Sequence, residues 1–99
     1  MRISTSLRNC AKNLGMKLWV SKKDGLEVVN LYDMRDDRLI CNWNKYGDGY
    51  LVPAINKKLP DEFGFHLCLV RNEVVMHGVL GAIARYTGIK AACHGKATS

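Results

Sequence analysis

Histidine and cysteine are the residue types through which this 99-residue chain could do covalent or metal chemistry. His66 and Cys68 stand two apart in Phe63–Val70, an apolar run that reads as a strand. Residues two apart on a strand project to the same side. The pair therefore has the spacing of a Cys–His couple, which needs a base in reach of the thiol and a group to orient that base, or of half a metal site. Structural zinc takes four closely grouped ligands, and only Cys93-His94, near the end of the chain, could complete the set. Cys10, Cys41, Cys68 and Cys93 contain no Cys-x-x-Cys pair. Cysteine in an apolar strand behaves as a small hydrophobe, and that structural role is the stronger reading. Reduced thiols, not a disulfide framework, are expected.

Carboxylates offer a second chemistry. Asp33, Asp36 and Asp37 gather in one turn and Asp61-Glu62 in another. General acid–base work needs a carboxyl whose pKa is raised, usually by partial burial. Turn carboxylates are mostly solvated, and Arg35 and Arg38 lie beside the first group, so a solvated turn is expected. The spacing does not fit a twelve-residue calcium loop. Gly47-Asp48-Gly49 does not lead from an apolar strand into a glycine-rich helix start, so nucleotide hydrolysis has no support. The chain reads as a non-enzyme, and no motif implies a cofactor or a metal.

Charge is sorted along the sequence. Residues 1–23 hold Arg2, Arg8, Lys12, Lys17, Lys22 and Lys23 without an acid. Residues 74–99 hold Arg85, Lys90 and Lys96, again without one. All nine carboxylates lie between Asp24 and Glu73. Two acid-free ends predict a positive surface that meets an electronegative partner. Apolar residues make up 47% of the chain, which suits one globular domain spanning 1–99 with a frayed tail at about 95–99. No apolar run approaches the roughly 20 residues of a membrane span, and MRISTSLRNC has no apolar stretch behind its charge. A cytoplasmic location without membrane contact is the expectation.

The elements that must position these residues follow from periodicity. Leu7, Cys10, Ala11 and Leu14 make one helical stripe behind a Ser4-Thr5-Ser6 cap, with Gly15 as the stop. Arg8 and Lys12 share the solvent face of that helix as i, i+4 neighbours. Met16, Leu18 and Val20 alternate with Lys17, Trp19 and Ser21, which is strand periodicity. Asp24-Gly25 signals a tight hairpin turn to a return strand, Leu26–Asp33. Arg38–Asn44 is a third strand, with Leu39, Cys41 and Trp43 on one face. Tyr50–Lys58 is ambiguous, since Pro53 argues against a central strand. Phe63–Val70 reads as the fourth strand. Asn72 caps a helix carried by Val75, Val79, Ala82, Ile83 and Tyr86. The fold class is α+β: a small antiparallel sheet of three or four strands packed on an N-terminal and a C-terminal helix. The first two strands carry apolar residues on both faces, where one wet face would give cleaner alternation. Covering of the second face by residues 45–63 is the favoured expectation; a docking surface is the other.

Leu80–Lys96 resembles part of a helix-turn-helix. Ala84 and Gly88 have the separation typical of its turn, and Ile89-Lys90-Ala91-Ala92 would open a recognition helix. His94 falls where an apolar residue belongs, and Gly95 would break the helix early. A capped helix with a tail explains the same letters.

The first functional expectation is a small basic accessory protein, of the kind phages and mobile elements carry. It would bind a larger protein, or protein–nucleic acid complex, that processes nucleic acid, and modulate or inhibit it. Arg8, Lys12, Lys17, Lys22, Lys23, Arg85 and Lys90 would steer the encounter, and Trp19, Tyr32, Trp43 and Tyr46 would anchor it. The alternative is direct DNA or RNA binding through the basic ends and the segment 80–96.

Overall fold

The computed structural model describes residues 2–47 and 49–88. Helix α1 (Thr5–Asn13) begins at Ser4, whose Oγ accepts the Leu7 N–H at 3.2 Å. Leu7 and Ala11 turn fully inward, and the chain reverses through Gly15 at φ 84°. Strand β1 (Met16–Lys23) then pairs with β2 (Leu26–Asp33) across a two-residue turn. Asp24 and Gly25 both have positive φ, 54° and 82°, which a type I′ hairpin turn requires. Strand β3 (Arg38–Tyr46) and strand β4 (Tyr50–Asn56) extend the meander, and the order is β1-β2-β3-β4, antiparallel throughout. Helix α2 (Glu73–Thr87) closes the described chain, with Asn72 Oδ1 accepting the Val75 N–H at 3.0 Å.

One apolar core lies on one side of the sheet. Met16, Leu18, Val29, Leu31, Cys41 and Trp43 point into it from the strands, and Leu7, Ala11, Met76, Leu80, Ile83 and Ala84 meet them from the two helices. Each fully buried Leu, Ile or Met side chain contributes about 1.5–3 kcal/mol. Trp43 is 0% exposed; its ring meets Phe65 edge-on, centroids 5.5 Å apart, and its indole N–H donates to the Cys68 carbonyl at 3.1 Å.

Four local readings are corrected. Phe63–Val70 is not a strand: it folds as two 3-10 turns, Asp61–Phe63 and Phe65–Leu67, hinged at Gly64. Gly64 sits at φ 71°, a left-handed conformation that ends strand geometry at once. Only Val70 joins the sheet, exchanging both backbone hydrogen bonds with Leu51. The fourth strand is Tyr50–Asn56, and it tolerates Pro53 because it lies at the sheet edge.

The second correction concerns β3. A bulge sets Ile40 between Leu39, opposite Tyr32, and Cys41, opposite Leu31. Ile40 is therefore buried, and Leu39 joins the face of Tyr32. The Ile40 carbonyl, freed from the ladder, accepts the N–H groups of Lys57 and Lys58 as the chain leaves β4.

Third, the buried stripe of α2 is Met76, Leu80, Ile83 and Ala84. Val75 and Tyr86 lie exposed beside it. Ile83 is buried as expected and Val79 packs at the core margin, while Met76, Leu80 and Ala84 take the places expected of Val75 and Tyr86.

Fourth, residues 45–63 do not cover the second sheet face. Residues 50–56 lengthen the sheet edgewise, and Leu59, Phe65 and Val70 pack into the core on the helical side.

Candidate functional site

The face left open is built by strand alternation. Lys17, Trp19, Ser21 and Lys23 on β1 stand opposite Tyr32, Asn30, Val28 and Leu26 on β2. Asn42, Asn44 and Tyr46 continue the face on β3, opposite Ile55, Val52 and Tyr50 on β4. The helices and the segment after β4 all pack on the other side.

A polar seam crosses this face. Asn30 is almost buried, and its Nδ2 donates to the Trp19 carbonyl at 3.2 Å and to Ser21 Oγ at 3.0 Å. Asn42 Nδ2 reaches Asn30 Oδ1 at 3.5 Å, and Asn42 Oδ1 accepts the Ile55 N–H at 3.0 Å. The last bond sits at a second bulge, where Ala54 is the extra residue between Pro53 and Ile55. The seam thus links all four strands. Among the described residues, no buried side-chain nitrogen or oxygen lacks a partner.

Aromatic rings flank the seam. Trp19 is 52% exposed, with the Lys17 ammonium 5.3 Å from its ring centre. Across the sheet Tyr46 and Tyr50, directly opposite in register, stack with centroids 6.0 Å apart. Both are exposed, as are Leu26 and Ile55.

The free edge of β1 carries the positive charge. Arg8 Nη1 donates to the Leu18 carbonyl at 3.2 Å, which ties α1 to that edge. Between them runs a groove of about 260 Å³, walled by Arg8, Lys12 and Lys17 and floored by Met16, Leu18 and Met34. The Met34 N–H bonds the Gly15 carbonyl at 3.1 Å, which fixes the turn after β2 beside the α1–β1 junction.

Among the described residues, lysine and arginine ion pairing stays within the middle of the chain, although Asp37 lines the same shallow pocket as Lys17, Trp19 and Tyr32. Carboxylates in the middle of the chain find cations from the middle: Asp33 pairs with Arg35 at 2.9 Å and with Lys58 at 3.0 Å, Asp36 with Lys58 at 2.8 Å, and Glu27 with Lys45 at 3.1 Å. Among the described residues, no carboxylate pairs with Arg8, Lys12, Lys17, Lys22, Lys23 or Arg85.

The structure brings Arg8, Lys12, Lys17 and Trp19 together, and places Tyr32, Lys23 and Tyr46 on the same open face or its rim. Lys22 stands one residue out of phase, opposite Glu27. Arg85 lies on α2, in the helical layer away from the open face. Trp43 is removed from the set of anchors, because its ring is wholly inside the core and its N–H is bonded there. Lys90, the second half of the helix-turn-helix resemblance and the tail 95–99 lie outside the described residues. Up to Gly88 that segment is one continuous helix ending in a left-handed residue.

Sequence reasoning missed Tyr50, Met34 and the asparagine seam. The available signal was Asn30, Asn42 and Asn44 at outward positions of neighbouring strands, where isolated asparagine is a poor strand former.

The other chemistries take structural forms. Asp33 is 1% exposed, not solvated as expected. The Arg35 side chain, helped by the Arg35 backbone N–H and by Lys58, holds its carboxyl well below the usual carboxylate range. A carboxyl held ionised in this way is the reverse of a general acid. His66 is exposed on a 3-10 turn, and among the described residues it makes no hydrogen bond to Cys68. Burial pushes the Cys10, Cys41 and Cys68 thiols up, away from nucleophilic thiolate. Among the described residues no group of three or more His, Cys, Asp or Glu side chains could hold a metal ion, and no helix is long and apolar enough to cross a membrane.

Compared with protein-family models, curated proteins and solved structures, the chain finds no match. Function has to be argued from the open face itself.

Proposed function

We propose that this protein is a small non-enzymatic accessory protein, of phage or mobile-element type, that acts in the cytoplasm. Through its open sheet face it docks on a larger protein of nucleic-acid metabolism and modulates or inhibits it. One observation carries the reading: among the described residues, exposed aromatic rings stand on a sheet face that no helix covers, beside cations without an ion pair. Aromatic and arginine side chains supply most of the energy of protein interfaces. Unpaired charge at the rim speeds encounter with a partner of opposite sign.

Size supports this use. Four strands about 4.8 Å apart and eight residues long at about 3.3 Å each give a face of roughly 500 Å² in projection. A stable complex takes about 800 Å² of accessible surface from each partner. The open face with the adjoining α1 edge is of that order. An acidic surface on the partner would complement Arg8, Lys12 and Lys17.

Direct binding of single-stranded nucleic acid is the second reading, favoured by one feature. Trp19 presents an exposed ring beside Lys17, and a base could stack there while the cations meet phosphates.

Affinity capture with and without nuclease treatment separates the two. The proposal predicts that a nucleic-acid-processing enzyme stays bound after nuclease and is lost with Trp19→Ala. It also predicts that the purified protein changes that enzyme's turnover. Loss of all captured material on nuclease treatment, with a steep fall in oligonucleotide binding as salt rises, overturns it in favour of the second reading.

A further inference from the structure

We infer that the groove between α1 and β1 receives an acidic segment of the partner protein, with one apolar side chain seated in it. This rests on the docking reading above and names the chemistry of the partner.

The groove's volume carries the first step. About 260 Å³ falls below the roughly 300–1,000 Å³ of small-molecule sites. A groove of this size can seat an apolar side chain. Met16 and Leu18 lie buried beneath it, and Met34, half exposed, is the apolar side chain a guest would touch. Methionine is unbranched and polarizable and adapts to whichever apolar group it meets. No aromatic ring lines the groove, so nothing in it stacks a base.

Charge carries the second step. Arg8, Lys12 and Lys17 line the groove, and among the described residues none pairs with a carboxylate. Arg8 spends one donor on the Leu18 carbonyl, which fixes the guanidinium at the rim. A guanidinium has five N–H donors, so the remainder can meet a carboxylate. Two cations, Arg8 and Lys12, beside an apolar seat fit an acidic peptide with a central Leu, Ile, Met or Phe. A nucleic-acid strand would satisfy the walls and leave the floor empty.

The test uses the intact protein with methyl-labelled methionine. The probes are a fluorescein-labelled Asp-Glu-Leu-Glu-Asp peptide, its leucine-to-serine form, and labelled twelve-residue oligothymidine. The leucine peptide is expected to bind saturably and to shift the Met34 methyl signal more than that of the buried Met16. The serine form is expected to bind at least fivefold more weakly. Lys12→Glu is expected to reduce peptide affinity about fivefold while leaving the Met76 methyl signal, and hence the core, in place. Two results at the groove overturn the inference: equal binding of the serine form, or an equal or larger methyl shift with oligothymidine. So does nuclease-resistant capture of the partner that Lys12→Glu leaves intact; in that case the docking reading stands and only the groove assignment falls. If capture itself depends on nucleic acid, the docking reading falls first, and the groove assignment, which names that partner's chemistry, falls with it.

Discussion

The Lys17 ammonium lies 5.3 Å from the ring centre of Trp19 on the free edge strand, and both side chains project from the face that no helix covers. The pair brings a cation and a large apolar ring to one spot on the surface. Such a contact is worth about 0.5–1 kcal/mol when exposed and more once a partner excludes water. Its energy therefore grows on docking.

The two tryptophans should separate cleanly. Trp19→Ala is expected to change stability by about 0.5 kcal/mol and to weaken partner binding tenfold or more. Trp43→Ala is expected to cost about 4 kcal/mol of stability. Urea unfolding followed by circular dichroism measures both. Acrylamide should quench Trp19 strongly in the native protein and Trp43 hardly at all.

Asp33 predicts an acid limit. Its carboxyl is held below its ordinary value in the folded chain by Arg35 and Lys58. The unfolded chain then binds the proton more readily, so stability rises with pH across the range between the two values. The Asp33 contribution is expected to be complete above about pH 5 and to fall away as pH drops through about 4 and below. Asp33→Asn should flatten that part of the profile and cost about 2 kcal/mol at neutral pH, since hydrogen bonds to a charged group are lost. Thermal midpoints between pH 2 and 7 for the two proteins decide it.

The seam predicts a local effect. Asn42→Ala removes the acceptor of the Ile55 N–H and one partner of Asn30. The expected cost is about 1 kcal/mol. Hydrogen exchange at the Ile55 amide should quicken more than at Leu51, which keeps its bond to Val70.

Thiol chemistry gives a fourth expectation. Cys41 and Cys68, with thiols pushed up by burial, should react with a disulfide reagent at pH 7 far more slowly than in denaturant. Fast reaction of Cys68 in the native protein would revive the Cys68–His66 nucleophile pair.

Much of this fold could be read from local chemistry. Ser4, Asp24-Gly25 and Asn72 each announce a cap or turn through their own hydrogen bonds or φ angles, so α1, the first hairpin and the start of α2 were legible. Phe63–Val70 was not, because apolar content alone does not tell a strand from a pair of turns, and Gly64 outweighed its neighbours. Ile40 was misassigned because a bulge shifts alternation by one residue and leaves no mark of its own. At the candidate site, Arg8, Lys12, Lys17 and Trp19 were visible as charge without acid and as an outward ring. Trp43 was indistinguishable from Trp19 by type, and only the three-dimensional register separates them. The groove could not be anticipated, since Met34 reaches it through the Gly15 carbonyl, nineteen positions back along the chain.

The amide of Asn30 reaches Ser21 on one side and Asn42 on the other. Were β2 to slide by a single position against its neighbours, that amide would swing into the oily layer beneath and lose its bonds. The crosslink therefore disfavours slipped pairings of the hairpins, and the arrangement of rings above the sheet depends on that single alignment.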